Sequence, residues 1–325
     1  MQFPQKTEAS ERFSRLTTSS VEELEEFQVN KNRQYTQLQS GKLNGDYAGL
    51  NLGDVQLFRE KLTAGARIEA SPADIFVPFG SVSATSGDYR FCGSKRKDNT
   101  ILLASGGSWD VSFKENLDYV GTIFSRNSLN LNIEKLTGRP IPKEWLTSRA
   151  ATTHADALLR YSRGIAKILH TVESRPEILS ECNAVRMLNT EVLALTLGTL
   201  RPISELNEKL KPQSRRIRGV YLVIDYLQVH AANIPTIPEL CAIAELSERS
   251  LEYGFREHLG ITPIRYLRLV RLNGARRDLL AANNFMTSTS GIALKWGFIE
   301  FGRFAGEYKQ LFEELPSETL RTIGY

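Results

Sequence analysis

The 325-residue sequence predicts a multidomain α+β protein, β-rich over residues 1–140 and helical beyond. Three observations predict it. Between Gln34 and Asn130, short β-prone runs such as VQLFREKL, DIFVPF and TILLAS alternate with turn clusters such as SGKLNGD, ASPAD and KRKDN. That texture belongs to an all-β barrel or sandwich. After residue 140 the apolar residues recur at steps of three and four, the period of one helix face. Near the C-terminus, a short helix, a tight turn and a second helix occur twice, on either side of one long helix.

In order along the chain, Ser20-Val21-Glu22-Glu23 has capping-box spacing and opens a short acidic helix through Phe27. The aromatics Phe76, Phe79, Tyr89, Phe91 and Trp109 of the β-rich part form core or line a pocket. Two amphipathic stripes follow: Leu158, Tyr161, Ile165, Ile168, Leu169 and Val172, then Ile178, Cys182, Val185, Leu188, Val192 and Leu195. Arg175-Pro176 separates them, since proline begins helices and interrupts them. They predict a helical hairpin over 141–205, packed as internal core or shared between two copies in a dimer. The polar stretch RPISELNEKLKPQSRR holds two prolines; its residues 206–216 read as a linker to a C-terminal domain over 217–325.

In that domain Ile217, Val220, Tyr221, Ile224 and Leu227 make a first helix face. Thr236 caps a short helix carrying Pro238, and Ser247 caps ERSLEYGFREHL, which Gly260 closes. Thr262-Pro263 starts a helix of about 20 residues, roughly 30 Å long at 1.5 Å per residue. Its Arg265, Arg268 and Arg271 share one side, as a solvated face or a phosphate-contacting stripe. Then Ser290-GIALKW, a turn at Gly297-Phe298-Ile299, and FGRFAGEYKQLF repeat the pattern. FREHLGITP and YKQLFEELP end the two units alike, each with proline eight residues after an aromatic. A linking helix of that length suits two recognition helices in successive major grooves, about 34 Å apart.

In WGFIEFGRFAGEYKQLF, Phe301, Phe304, Tyr308 and Phe312 read as the core stripe, while Gly302, Ala305 and Gly306 fall opposite. A glycine inside a helix costs roughly 0.5–1 kcal/mol against alanine. Two of them on an outer face suit close approach of the helix backbone to a partner.

These stretches resemble the AraC/XylS family of bacterial transcription regulators, over about residues 215–322. The resemblance is carried by IPELCAIAELSERSLEYGFREHLGITPIRYLRLVRLNGARRDLL and GIALKWGFIEFGRFAGEYKQLFEELPSETL. Within the family the chain looks closest to the ethanolamine-utilisation regulators, through WGF, the Phe301-Gly302-x-Phe-Ala pattern and the LPSETL ending. The resemblance implies two helix-turn-helix units that bind double-stranded promoter DNA. Arg249, Glu252 and Tyr253 would read bases and Arg256 would take a phosphate in the first unit. In the second, Glu300, Phe301, Gly302, Arg303 and Gly306 would face DNA, with Arg303 the main long polar contact. Helix-surface pairing of Arg249 with Tyr253 and of Glu252 with Arg256 is the bland reading of the same residues. The family's turn glycine is replaced by Glu245, which calls for positive φ at a non-glycine residue or a differently shaped turn. The resemblance further implies a cupin-like β barrel over the N-terminal part that binds a small-molecule effector, a homodimer, contact with RNA polymerase, and activation of transcription. The alternative is a small-molecule-binding or protein-interaction module whose helix-turn-helix units lack specific DNA binding.

Composition fits. The chain is 41% hydrophobic and 24% charged, an ordinary globular balance. Its net charge is +4; residues 211–325 hold 15 Lys and Arg against 12 Asp and Glu. That surplus permits a nucleic-acid partner without establishing one. No apolar run is long enough to span a membrane, and MQFPQKTEASERF has no signal-peptide core. Three scattered cysteines, Cys92, Cys182 and Cys241, read as free thiols in a reducing cytoplasm, each a small core residue. His154, His170, His230 and His258 lack metal-ligand spacing, and His258 falls at a helix C-terminus, where a cation is favoured. Gly93-Ser94-Lys95 and Ser105-Gly106-Gly107-Ser108 read as turns. No catalytic, metal or cofactor constellation is present in the sequence, so an enzyme is not expected.

Overall fold

The computed structural model describes residues 12–28, 32–83, 87–96, 99–104, 107–142, 145–146, 149–200, 214–282 and 288–321. The strands are β1 (Phe13–Thr18), β2 (Arg33–Gln37), β3 (Gly45–Asn51), β4 (Val55–Leu62), β5 (Ala66–Ala70), β6 (Phe76–Val82), β7 (Tyr89–Phe91), β8 (Ser94–Lys95), β9 (Thr100–Leu103), β10 (Trp109–Phe113), β11 (Leu117–Ser125) and β12 (Ala150–Thr152). They make a seven-stranded sheet, β1-β3-β4-β11-β6-β9-β12, and a five-stranded sheet, β2-β5-β10-β7-β8. Neither sheet closes on itself among the described residues, so the cupin-like β barrel expected from the resemblance is seen here only as two open sheets. β8 and β12 are two and three residues long, too short to carry a closing ladder.

The helices are α1 (Val21–Phe27), α2 (Arg126–Thr137), α3 (Ala155–Ser174), α4 (Cys182–Leu200), α5 (Arg215–His230), α6 (Ile237–Ala244), α7 (Glu248–Leu259), α8 (Pro263–Leu280), α9 (Thr289–Lys295), α10 (Phe301–Phe312) and α11 (Pro316–Arg321). Ser20 caps α1 by accepting from the Glu23 N–H, whereas the Glu23 carboxylate pairs with Thr18, so the box is half formed. Of the expected linker 206–216, residues 206–213 lie outside the described residues, and Arg215 and Arg216 already belong to α5.

Alternation along the strands sorts the side chains into two cores. On β4, Leu57 joins the cluster under α3 and α4, while Phe58 joins the cluster shared with the five-stranded sheet. On β11, Val120 and Phe124 go one way and Tyr119 the other. The seven-stranded sheet is thus covered on both sides. All six residues of the first helical stripe, from Leu158 to Val172, are buried. The second stripe fares differently: Val192 is buried, Val185, Leu188 and Leu195 are partly covered, and Cys182 is exposed. α4 packs along one side only, which leaves its first turn in solvent. Cys92 and Cys241 are half-buried, so none of the three thiols is a full core residue. Phe79, Tyr89, Phe91 and Trp109 are core.

Between the sheets lies a charged pair. Arg33 and Glu60 are both buried and salt-bridged, with Gln28 donating to the same carboxylate at 3.3 Å and the Tyr35 hydroxyl bonded to it. The Arg33 guanidinium lies 4.7 Å from the Phe58 ring centroid. Removing one partner leaves an uncompensated charge in the core, which costs about 3–5 kcal/mol. Arg33→Ala should lower the stability of the full chain by that order in a denaturant titration; a loss below about 1 kcal/mol would show that water reaches Glu60.

Glu25 on α1 accepts the Tyr35 N–H at 2.6 Å and lies 3.9 Å from Arg277 of α8. Burial pushes its carboxyl up to about 7, against the pull of Tyr35 and Arg277. The folded chain therefore holds this proton more tightly than the unfolded one. The stabilising contribution is present below about pH 4.5 and is lost as pH rises through about 7. Glu25→Gln, fixed in the neutral form, should raise the melting temperature at pH 8 and change it little at pH 5. An equal effect at both pH values would refute the shift.

Candidate nucleic-acid interface

The first unit is α6, a turn and α7. Thr236 and Glu239 form a reciprocal capping box on α6. Glu245 takes left-handed backbone, φ 52°, and the Leu246 N–H reaches back to the Cys241 carbonyl at 3.1 Å. Ser247 caps α7 and Gly260, φ 75°, ends it. The positive φ at a non-glycine residue is the first of the two outcomes the sequence left open at Glu245. Leu251, Phe255, His258 and Leu259 of α7 are buried. Gly254 is buried too; a Cβ there would come 2.6 Å from Val220, so its absence lets α7 close on α5. Arg249, Tyr253 and Arg256 point outward and are exposed, with Glu252 half-buried beside them. Arg249 lies 5.7 Å from the Tyr253 ring centroid, and Arg256 pairs with Glu252 at 2.8 Å. Both contacts of the bland reading are therefore present in the free chain.

The second unit repeats this geometry. α9 is capped by Ser288, two residues ahead of the expected Ser290. Gly297 has φ 72°, and the Phe298 N–H reaches the Ala293 carbonyl at 2.8 Å, the counterpart of the Leu246 bond. On α10, Phe304, Tyr308, Leu311 and Phe312 are buried. Phe301 is 44% exposed, which removes it from the core stripe predicted for it. It is the first residue of α10, and only from the second turn does the helix lie on its neighbours. Gly302 and Gly306 face open space, with nothing within 4 Å of a Cβ at either. Arg303 is exposed and pairs with Glu307 at 3.0 Å, and Glu300 precedes the helix at the N-cap, also exposed.

The linking helix α8 has 18 residues, about 27 Å at 1.5 Å per residue. Its arginines are mostly spoken for. Arg268 pairs with Glu307, Arg271 donates to the Trp296 carbonyl at 2.6 Å, and Arg276 binds Glu314. Of the three-apart stripe only Arg265 is exposed, so neither a solvated face nor a phosphate stripe describes it. The arginines instead fasten α8 to the second unit.

Sequence reasoning missed how both recognition helices are held. His258, in the last turn of α7, is fully buried with its Nε2 3.3 Å from the Asp110 carboxylate of β10. Tyr221 of α5 donates to the same carboxylate at 2.6 Å, and Arg67 of β5 does so at 3.0 Å. Burial pushes the Asp110 carboxyl up; Arg67, His258 and Tyr221 outweigh it and hold it well below the usual carboxylate range. At the other unit, the Gln37 side chain donates to the Leu311 carbonyl of α10 at 2.7 Å, as does the Gly41 N–H at 3.2 Å. Gln37 backbone and Asn273 side chain exchange two bonds of 3.0 and 3.1 Å. The five-stranded sheet thus grips the C-terminal end of α7 and that of α10. No motif links residues 111 to 274 positions apart, so a single sequence carries no signal for these contacts.

Residues 240–322 match the family described as a helix-turn-helix domain. Over 106 residues the chain is 45% identical to the probable thc operon regulatory protein of Rhodococcus erythropolis, covering 33% of this chain and 32% of that protein. It is 35% identical over 98 residues to XylDLEGF operon transcriptional activator 2 of Pseudomonas putida, covering 30% of this chain and 62% of that one. A solved probable AraC family transcriptional regulator from Rhodopseudomonas palustris is 33% identical across 32% of this chain and 95% of its own, with a TM-score of 0.30. Residues 240–322 form a helix-turn-helix domain. The match spans about a third of the first relative's length and less than two thirds of the second's. Both relatives are operon regulators by name. Among the described residues no group of His, Cys, Asp and Glu could hold a metal, and no helix is long and apolar enough to cross a membrane.

The glycines of the helix-turn-helix domain divide by what surrounds them. Gly302 lies in open space, whereas a Cβ at Gly274 would come 2.2 Å from the Trp296 ring. Gly302→Ala should raise stability by roughly 0.5–1 kcal/mol through helix propensity, and Gly274→Ala should lower it. Thermal unfolding of the two variants checks both signs; a destabilised Gly302→Ala would mean that the outer face of α10 is packed.

Proposed function

We propose that the chain is a sequence-specific DNA-binding transcription regulator. The observation that carries this reading is the pair of like units on one helix, each turning a recognition helix outward. α7 would read bases with Arg249, Glu252 and Tyr253 and hold a phosphate with Arg256. Arginine suits guanine, and glutamate suits the cytosine amino group. α10 would bring Glu300, Phe301, Gly302, Arg303 and Gly306 to the second groove. Its side is small, so its backbone approaches closely and its contribution is anchoring more than base reading. The first unit then carries most of the discrimination. The intramolecular pairs of Arg249, Arg256 and Arg303 are exposed, hence weak, and exchange for DNA at little cost.

The two-sheet region, read as a relative of the cupin-like barrels, would bind a small-molecule effector. The hairpin of α3 and α4 would join two copies, a role supported by the exposure of Leu159 and Met187. The domain limits of this reading are 1–140, 141–205 and a C-terminal domain that opens with α5 at Arg215, with activation through RNA polymerase as the output. The resemblance to ethanolamine regulators makes small amines a natural first effector screen.

The test is selection of a binding site from random duplex DNA with the full chain, followed by anisotropy titration. Affinity for the selected site should fall steeply as salt rises. Arg249→Ala should cost about 1–3 kcal/mol and relax one base position. Arg303→Ala should weaken binding to all sequences alike. If no sequence is enriched, the alternative of an interaction module without specific DNA binding replaces this reading.

A further inference from the structure

The polar side of the five-stranded sheet does not close on α5. Gln34, Glu69 and Asp110 stand in register across β2, β5 and β10. With Tyr221, Asp225 and Gln228, which share one side of α5, they wall a cleft of about 320 Å³, within the range of small-molecule pockets. A junction that merely joined two regions would fill this volume with side chains.

The two ends of the cleft differ in chemistry. Arg67 is 1% exposed; its Nε donates to Asp110 and its Nη1 pairs with Glu69. Its Nη2, also buried, has no partner among the described residues. A buried donor without a protein acceptor is met by ordered water or by a ligand oxygen. Arg149, half-buried on the same wall, donates to the Gly107 carbonyl at 3.3 Å. These two guanidiniums ask for an anionic oxygen. Asp225 makes no hydrogen bond or ion pair among the described residues, and burial, opposed by Arg67, raises its pKa. Glu69, by contrast, already accepts from Arg67 and Gln228. Counting Arg67 and Arg149 against Glu69, Asp110 and Asp225, the walls carry one net negative charge. A simple anion would leave Asp225 worse off, and a simple amine would leave Arg67 unmet.

We propose that this cleft binds a small zwitterion of the α-amino-acid type, its carboxylate on Arg67 and Arg149 and its ammonium on Asp225. Asp110 and Tyr221, which wall the cleft, also hold His258 of α7. Occupancy is therefore felt by the first recognition helix. This second half rests on the DNA-binding reading; the binding half does not.

The experiment is a thermal-shift screen of the full chain with the twenty L-amino acids, then calorimetric titration of the best one. That compound is compared with its decarboxylated amine and its deaminated acid. At least one amino acid should raise the melting temperature by mass action, and both single-charge analogues should bind at least about tenfold more weakly. Asp225→Asn and Arg149→Gln, at partly exposed positions that tolerate change, should each weaken binding about tenfold. Arg160→Gln, on the outer side of α3, should bind as the parent does. The proposal is overturned if no amino acid shifts the transition, if a single-charge analogue binds equally well, or if the Asp225 and Arg149 variants bind unchanged. With binding in hand, DNA affinity measured with and without the amino acid should change at least about threefold. An unchanged DNA affinity overturns the coupling alone, and absence of any DNA binding overturns the regulator reading while leaving the site in place.

Discussion

The seating of the first recognition helix on the five-stranded sheet depends on one buried carboxylate. Asp110 meets three elements: Arg67 of its own sheet and Tyr221 of α5 donate to it, and the His258 ring of α7 lies 3.3 Å away. Tyr221 and His258 also stack edge to face, ring centroids 4.8 Å apart. A carboxylate so deeply buried is tolerable only when fully paired, so the partners are obliged to stay together. Gly93 sets how near they come. A Cβ at this residue would stand 2.2 Å from the His258 ring, and its φ of 75° already suits glycine alone. The docking distance of the first recognition helix is thus fixed by a missing methyl group on a strand-connecting turn.

The helical half was largely legible in the sequence because its determinants are local. Thr236, Ser247, Gly260 and Thr262 announce caps within three or four residues of the groups they satisfy, and the structure uses each of them so. The apolar stripe of α3 was equally plain. The sheets were legible as texture only, since register depends on partners up to about seventy positions away, such as Phe124 with Val55. The misses share one cause. Arg271, His258 and Phe301 were read from their own helix, but their surroundings are decided by Trp296, by Asp110 and by the place where α10 meets its neighbours. The candidate reading residues, named by the family resemblance, are exposed apart from the half-buried Glu252, and Phe301 is among them although periodicity put it in the core stripe. The polar cleft under α5 was invisible, because Gln34, Glu69 and Asp225 look like ordinary surface residues until the two regions are brought together.

The two units also show how one geometry is written in different residues. Each needs left-handed backbone at its turn and again after its second helix. The first unit supplies Glu245 and then Gly260; the second supplies Gly297 and then Glu313, with φ of 52°, 75°, 72° and 61°. A non-glycine residue in this region costs on the order of 1 kcal/mol, so each unit carries that strain once. At Gly297 glycine is enforced, because a Cβ would collide with Ile234 and the Arg271 guanidinium. Glu245 is exposed, which lets a non-glycine residue hold in the first unit the left-handed turn that Gly297 holds in the second.

The contact between Gln37 and Asn273 has a consequence beyond docking. β2 is an edge strand, and an edge offers unpaired N–H and C=O groups to any other strand. Here the amide of Asn273 bonds both the N–H and the C=O of Gln37, standing in for the missing neighbour. α8 is therefore also a cover that keeps the sheet from adding strands of other molecules. Separated from α8, the Gln37 end of this edge would lose its cover, leaving Glu25 of α1 on the Tyr35 N–H, and the sheet region would be more prone to self-association. Selection on solubility alone would then favour keeping the two regions docked, whatever either of them binds.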